Sequence, residues 1–181
     1  MEETLIRDVD PRADAPEIAR IYNHYVTGTT ISFETEPLTV SEMRQRITAL
    51  SASYPYFVAV TTAGKVAGYC YVHQWKERAA YNPTVEATVY LAPDERGRGL
   101  GQRLTRHLLD ACRRAGFHAV IACITGDNHP SIAMVERLGF EKVSHFRQVG
   151  RKFDRYLDVV DYQLTLTPHT TPHRHRHEQR P

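Results

Sequence analysis

The sequence predicts a single α/β domain. Three observations predict it. Amphipathic helical runs occur early and late, an antiparallel meander fills the middle, and a leucine-striped helix is followed by a buried strand. At 181 residues, 41% hydrophobic and 24% charged, the chain has enough apolar side chains for one core. The domain is expected over residues 1–166, with a tail over residues 167–181.

"TLIRDV" reads as a first strand. "DAPEIARIYNHYVTG" reads as a helix with Asp14 as N-cap, Pro16 in the first turn, and Ile18, Ile21, Tyr22 and Tyr25 on one face. "TVSEMRQRITAL" begins with a capping box, Thr39 followed three residues later by Glu42. Two β-rich runs joined by Ala-Gly-Lys in "YFVAVTTAGKVAGYCYVHQW" predict a hairpin, and "TVEATVYLAP" a third strand ended by Pro93. In "LGQRLTRHLLDACRRAG", Leu100, Leu104, Leu108, Ala111, Cys112 and Ala115 form one stripe, and Gly116 stands as the C′ residue. "HAVIACI" is a buried strand, "HPSIAMVERLG" a short helix starting beside Pro130, and "YLDVVDYQLTL" an alternating final strand. The ending "TPHTTPHRHRHEQRP" has no apolar periodicity and reads as a disordered tail. His173, His175 and His177 could capture a metal there only without a preorganised geometry, so no metal is expected.

The net charge of +2 lies partly in that tail, so no global field argues for nucleic acid or an anionic membrane. Cys70, Cys112 and Cys123 are widely spaced, with no C-x-x-C pair, which suits buried thiols in a reducing compartment. The N-terminus is acidic where a signal peptide is basic, and no apolar run nears the ~18 residues of a membrane span. A cytoplasmic protein is expected.

"EATVYLAPDERGRGLGQRL" sets Gly97, Gly99 and Gly101 at a helix entrance, with Arg96 and Arg98 beside them. A helix N-terminus leaves amides unpaired and carries partial positive charge, so such a turn suits a phosphate or diphosphate. The Walker pattern G-x-x-x-x-G-K-[ST] is absent, and G-x-G-x-x-G fails after Gly101. An RGG-type RNA segment needs many copies, and there is one.

Arg96, Gly99 and Gly101 fit [QR]-x-x-G-x-[GA], so the turn, its flanking strand and helix, and "NHPSIAMVERLGF" downstream resemble the GNAT superfamily of N-acetyltransferases. "IYNHYVTGTTISFETEP", "WKERAAYNPTVEATVYL", "GDNHPSIAMVERLGF" and "VGRKFDRYLDVVDYQL" resemble one branch of it, the phosphinothricin and methionine sulfone or sulfoximine N-acetyltransferases. The resemblance implies a GNAT-like mixed, strongly twisted central sheet that splays after Leu91, with helices on both faces, and acetyl transfer from acetyl-CoA to a small amine in a ternary complex. It also implies a homodimer. The backbone of Val89, Tyr90 and Leu91 would pair with the pantetheine arm. The stretch Arg96, Gly97, Arg98, Gly99, Leu100 and Gly101 would wrap the pyrophosphate, and Asn128, with Ser131, would sit near the thiol end. Glu86 would be the general base, through water, and Phe33, Arg78 and Tyr81 would line the acceptor pocket.

The chemistry needs such groups. An amine of pKa roughly 8 to 10 is mostly ammonium at pH 7 and cannot attack a thioester until a base takes its proton. Glu86 interrupts an apolar strand, where a charge is costly unless it faces a cleft; a solvent-facing edge position is the plainer alternative. Arg78 offers a planar fork to a substrate carboxylate or is a solvated loop arginine. Phe33 and Tyr81 could equally be loop anchors, and Trp75 packs rather than reacts.

Two positions depart from the pattern. Many GNAT enzymes place a tyrosine seven residues after the asparagine, and this branch a histidine, to protonate the leaving thiolate; here Val135 stands there and carries no proton. Tyr156 replaces a tryptophan of the final motif. Two other functions stay open: acetylation of a protein N-terminus or lysine, and an acyl-CoA-binding module without turnover.

Overall fold

The computed structural model describes residues 4–166; the expected tail, with its histidines, lies outside them. Strand β1 spans Thr4–Asp8, β2 Tyr56–Thr61, β3 Val66–Gln74, β4 Thr84–Leu91, β5 Ala119–Thr125, β6 Glu141–Lys152 and β7 Arg155–Thr165. The helices are α1 Ala15–Gly28, α2 Val40–Ser51, α3 Leu100–Arg114 and α4 His129–Arg137. The sheet order is β1-β2-β3-β4-β5-β7-β6, and only β4 and β5 run parallel.

Alternation along β2 and β3 divides the core. Phe57, Cys70 and Val72 pack with Leu104, Leu108 and Cys112 of α3, while Tyr56, Val58 and Tyr69 pack with Ile18, Ile21 and Tyr25 of α1 and Ile47 of α2. Helices therefore cover both faces. The box at Thr39 forms in both directions, Thr39 N–H to Glu42 Oε2 at 2.7 Å and Glu42 N–H to Thr39 Oγ1 at 3.2 Å. No described helix is long and apolar enough to cross a membrane.

Several expectations are corrected. Asp14 stands at the N-cap of α1 but caps nothing: its carboxylate accepts both arms of Arg7 at 2.8 Å and the Asp10 amide at 2.7 Å. The forked cation from β1 outcompetes the helix amides. Ala115 is the exposed C-cap of α3, and Gly116 at φ 81° reverses the chain after it. Strand β6 was not visible in the sequence. Its side chains are almost all exposed, two register shifts break it, and so no period-2 apolar pattern marks it.

The sheet also opens earlier than expected. β4 and β5 pair only over Thr84–Glu86 against Ala119–Ile121, so the divergence starts after Glu86, not Leu91. Beyond it β4 stays laddered to β3 through Leu91, and β5 to β7 through Thr125. Each strand follows its own antiparallel partner, and the sheet twist separates them.

Candidate active site

The gap between β4 and β5 exposes backbone. Ala92 N–H donates to Ala67 O at 2.8 Å, and antiparallel pairs alternate between bonded and non-bonded. That parity commits the Tyr90 and Thr88 amides to β3 and turns those of Val89 and Leu91 into the gap. The Leu91 carbonyl confirms the direction: Tyr25 Oη donates to it at 2.6 Å from α1. Of the backbone stretch Val89, Tyr90 and Leu91 expected to hold a ligand, Val89 faces the gap with both its groups, Leu91 with its amide beside a carbonyl bonded to Tyr25, and Tyr90 faces β3.

A cavity of about 840 Å³ runs from this edge to the glycine turn, with Val89, Tyr90, Leu91, Arg96, Gly97, Gly99, Gly101, Asn128 and Ser131 in its wall. Gly97 at φ 77° and Gly99 at φ 78° hold left-handed conformations that other residues resist, and no atom lies near either Cβ position. Conformation rather than space requires glycine there. Gly99 is the N-cap of α3 and supplies no side-chain cap, which leaves the first-turn amides for an anion. Arg98 and Leu100 do not line this cavity: the Arg98 guanidinium lies 3.3 Å from Glu95, and Leu100 is buried in the core. Arg137 and Arg155 also line the wall, Arg155 with Nη2 3.4 Å from Asp127 Oδ2 in the same wall. Neither was singled out from sequence, because α4 and β7 reach the turn only through the tertiary fold.

Asn128 is the N-cap of α4: its Oδ1 accepts from Ser131 N–H at 3.4 Å, which aims the amide NH₂ elsewhere. Asn128, Ser131, Ile31, Val89, Tyr90 and Met134 also line a second cavity of about 540 Å³ that passes between the diverging strands. The two spaces meet at the gap.

Glu86 lines the second cavity as the last β4 residue paired to β5. Its side chain is 27% exposed, and His73, opposite it on β3, brings Nε2 to 3.7 Å from Oε1. Burial raises the carboxyl above the usual glutamate range; His73 opposes the shift and Asp161 adds to it. A carboxylate so placed holds protons more readily than an exposed one. Cys123, expected to be buried, is open to this cavity because β4 no longer covers it. Desolvation, Glu86 and Asp161 push its thiol up to about 12, so it stays protonated at neutral pH. Cys70 and Cys112 are buried as expected.

The segment following α1 closes the cavity's far side. Thr125 Oγ1 donates to Thr30 O at 2.8 Å, Tyr22 Oη and Ser32 Oγ lie 3.1 Å apart, and Lys152 Nζ donates to Ser32 O at 2.5 Å. Phe33 lines the cavity, with its ring against Gly150, where any Cβ would collide with it. Arg78 and Tyr81 line neither cavity. They lie at the 3₁₀ turn Ala79–Tyr81, where Tyr81 packs edge-on against Trp75 at 5.2 Å and Lys76 Nζ sits 4.1 Å above the Trp75 ring. Glu34 and Arg46, not foreseen, line the cavity instead. Val135 is buried in its wall, and Tyr156 is 66% exposed on β7. No group of three or more His, Cys, Asp or Glu side chains that could hold a metal occurs among the described residues.

The arrangement offers an extended space with an anion-binding turn at α3 and a buried carboxylate, Glu86, where the strands part. Comparisons with known proteins place the chain in a family. The model of the acetyltransferase (GNAT) domain matches residues 6–160. An L-methionine sulfoximine/L-methionine sulfone acetyltransferase of Pseudomonas paraeruginosa is 38% identical over 157 residues, 86% of this chain and 91% of the relative. A phosphinothricin N-acetyltransferase of Streptomyces coelicolor is 38% identical over 156 residues, 84% of this chain and 91% of that one. Among solved structures, a GNAT superfamily phosphinothricin acetyltransferase from Sinorhizobium meliloti in complex with AcCoA superposes with a TM-score of 0.87 at 35% identity, covering 90% of this chain and 88% of its own. With that match spanning most of its length, and with the splayed sheet and glycine turn in place, this chain belongs to the GNAT family of acetyltransferases.

Proposed function

We propose that this N-acetyltransferase transfers the acetyl group of acetyl-CoA to the primary amine of a small amino-acid-like acceptor, of the phosphinothricin, methionine sulfone or methionine sulfoximine type, by direct attack in a ternary complex. The observation that carries this reading is the position of Glu86, at the point where the two cavities join and the sheet opens. Bound acetyl-CoA supplies the activated thioester. The amides at the glycine turn, with Arg96, Arg137 and Arg155 in the wall, hold the diphosphate. The Val89 and Leu91 edge aligns the pantetheine arm, and an amide there polarises the carbonyl. Asn128 and Ser131 line both spaces at the thiol end.

Glu86 takes a proton from the acceptor ammonium, directly or through water, and the freed nitrogen forms the C–N bond as the C–S bond breaks. Val135 gives the departing sulfur no proton. A thiol with a pKa near ~8.5 is a tolerable leaving group without one, so solvent completes the exchange. The cytoplasm is the compartment of this reading. The assembly is a homodimer, supported by Val143, Phe146, Val149, Phe153 and Tyr156, each at least half exposed around β6 and β7.

The test is thiol release from acetyl-CoA against phosphinothricin, methionine sulfone, methionine sulfoximine, polyamines and peptides. Release with the amino-acid analogues is expected. A flat response across the panel sinks the reading, and release with peptides alone transfers it to protein acceptors.

A further inference from the structure

An amino-acid-like acceptor places its nitrogen at Glu86 and sends its side chain across the cavity. Among the described residues that line this cavity, Arg46 on α2 is the one lysine or arginine. Its guanidinium lies over the Tyr22 ring, 5.7 Å from the centroid, and Nη1 donates to Glu34 Oε1 at 2.8 Å. Burial alone lowers the Arg46 pKa, but the bond and charge of Glu34 outweigh it and raise it, so the cation is kept at all working pH values.

The pair is not sealed. The two side chains are 36% and 38% exposed, and a half-exposed ion pair contributes little net stability, with a median of about 0–1 kcal/mol. One Nη1 contact leaves most of the guanidinium's N–H donors for a second oxyanion. Other nearby cations are committed or absent: Lys152 Nζ donates to Ser32 O, and Arg78 is outside the cavity. Tyr71 lines the same cavity. Burial pushes its hydroxyl up to about 12, Thr88 opposes that through a hydrogen bond, and both Arg46 and Glu86 act on it electrostatically. Arg46 and Glu86 thus line one space, on α2 and β4 respectively.

We infer that Arg46 is a specificity-determining residue: it receives an anionic oxygen at the far end of the acceptor's side chain, sharing its guanidinium between that oxygen and Glu34. The inference rests on the acetyl-transfer reading above. It separates two acceptors of nearly the same shape, since phosphinothricin ends in a charged phosphinate and methionine sulfone in a neutral sulfonyl group. A charge-assisted hydrogen bond rewards only the first.

The experiment measures kcat/KM for L-phosphinothricin and L-methionine sulfone with the wild type, Arg46→Gln, Arg46→Lys and Glu34→Gln, alongside their thermal unfolding. The wild type is expected to favour phosphinothricin. Arg46→Gln should lower the phosphinothricin-to-sulfone ratio by about 10- to 100-fold, mainly through KM, the range of a lost charged hydrogen bond. Arg46→Lys should keep part of the preference, as a point charge without the fork, and Glu34→Gln should raise it by removing a competitor. A wild type that favours the sulfone, an unchanged ratio in Arg46→Gln, or an equal fall for both acceptors overturns the inference; the last outcome marks a loosened segment after α1. No thiol release from the wild type with either acceptor sinks the acetyl-transfer reading itself.

Discussion

Replacing Glu86 by Gln removes a negative charge at the mouth of the gap while keeping the side chain's shape. Two effects of opposite sign follow. Without the carboxylate, turnover depends on acceptor already present as free amine, which at pH 7 is roughly 0.1–10% for a pKa of 8 to 10. The loss of kcat/KM should therefore be about 10- to 1000-fold, overlapping the 10²–10⁴ usually attributed to a general base. It should shrink by roughly tenfold per pH unit as the pH rises toward the amine's pKa. The wild-type acidic limb should lie above the ordinary glutamate range, because burial raises Glu86.

Stability moves the other way. A carboxyl whose folded pKa exceeds its unfolded one destabilises the fold when ionised, so its cost is present above the folded pKa and fades as pH falls through that value toward the unfolded one. Glu86→Gln should therefore melt higher than the wild type at neutral pH, and the difference should close in acid. Thiol-release kinetics across pH, paired with calorimetry of both proteins, give both readouts. A variant that keeps the wild-type acidic limb and rate refutes Glu86 as the base.

Leu104 is fully buried, and its carbonyl accepts the Cys70 thiol at 3.6 Å. Leu104→Ala should cost about 3–5 kcal/mol, each kcal/mol lowering Tm by about 2–4 °C in a chain of this size; a loss near ~1 kcal/mol in denaturant titration would show a core that collapses around the cavity. Gly150→Ala puts a methyl into the Phe33 ring. Phe33 is 43% exposed and its ring can swing aside, so the stability cost should fall below the ~1–3 kcal/mol of an overpacked core, and steady-state kinetics should show a higher KM for the acceptor with that for acetyl-CoA nearly unchanged.

Elements whose residues meet a core could be read from sequence. The α3 stripe and the β2–β3 hairpin follow from periodicity because one face of each is buried. Strand β6 could not be read, since an exposed outer strand has no buried face to impose alternation. Among site residues, the glycine turn was legible because its φ angles admit few substitutes. Glu86 stood out as a charge within an apolar strand. Arg46, Arg137 and Arg155 look like ordinary surface arginines until the fold carries them to the cavities. Arg78 illustrates the converse: its neighbours along the chain single it out, yet it lines neither cavity, and Trp75, Lys76 and Tyr81 pack on one another at its turn.

An unpaired strand on a protein's rim invites strands of other molecules, and such rims are a common origin of aggregation. The free edge at Val89 and Leu91 is of the same kind, yet it lies inside the sheet, flanked by β5 and overhung by Tyr25 and Asn128. Another chain's strand would need side chains on two faces and a sheet spacing of about 4.8 Å on both sides. A thin arm that is unbranched over its length toward the thiol meets neither obstacle. The same opening thus offers backbone hydrogen bonds to one shape of molecule while withholding them from polypeptide, so the exposed ladder adds little risk of self-association.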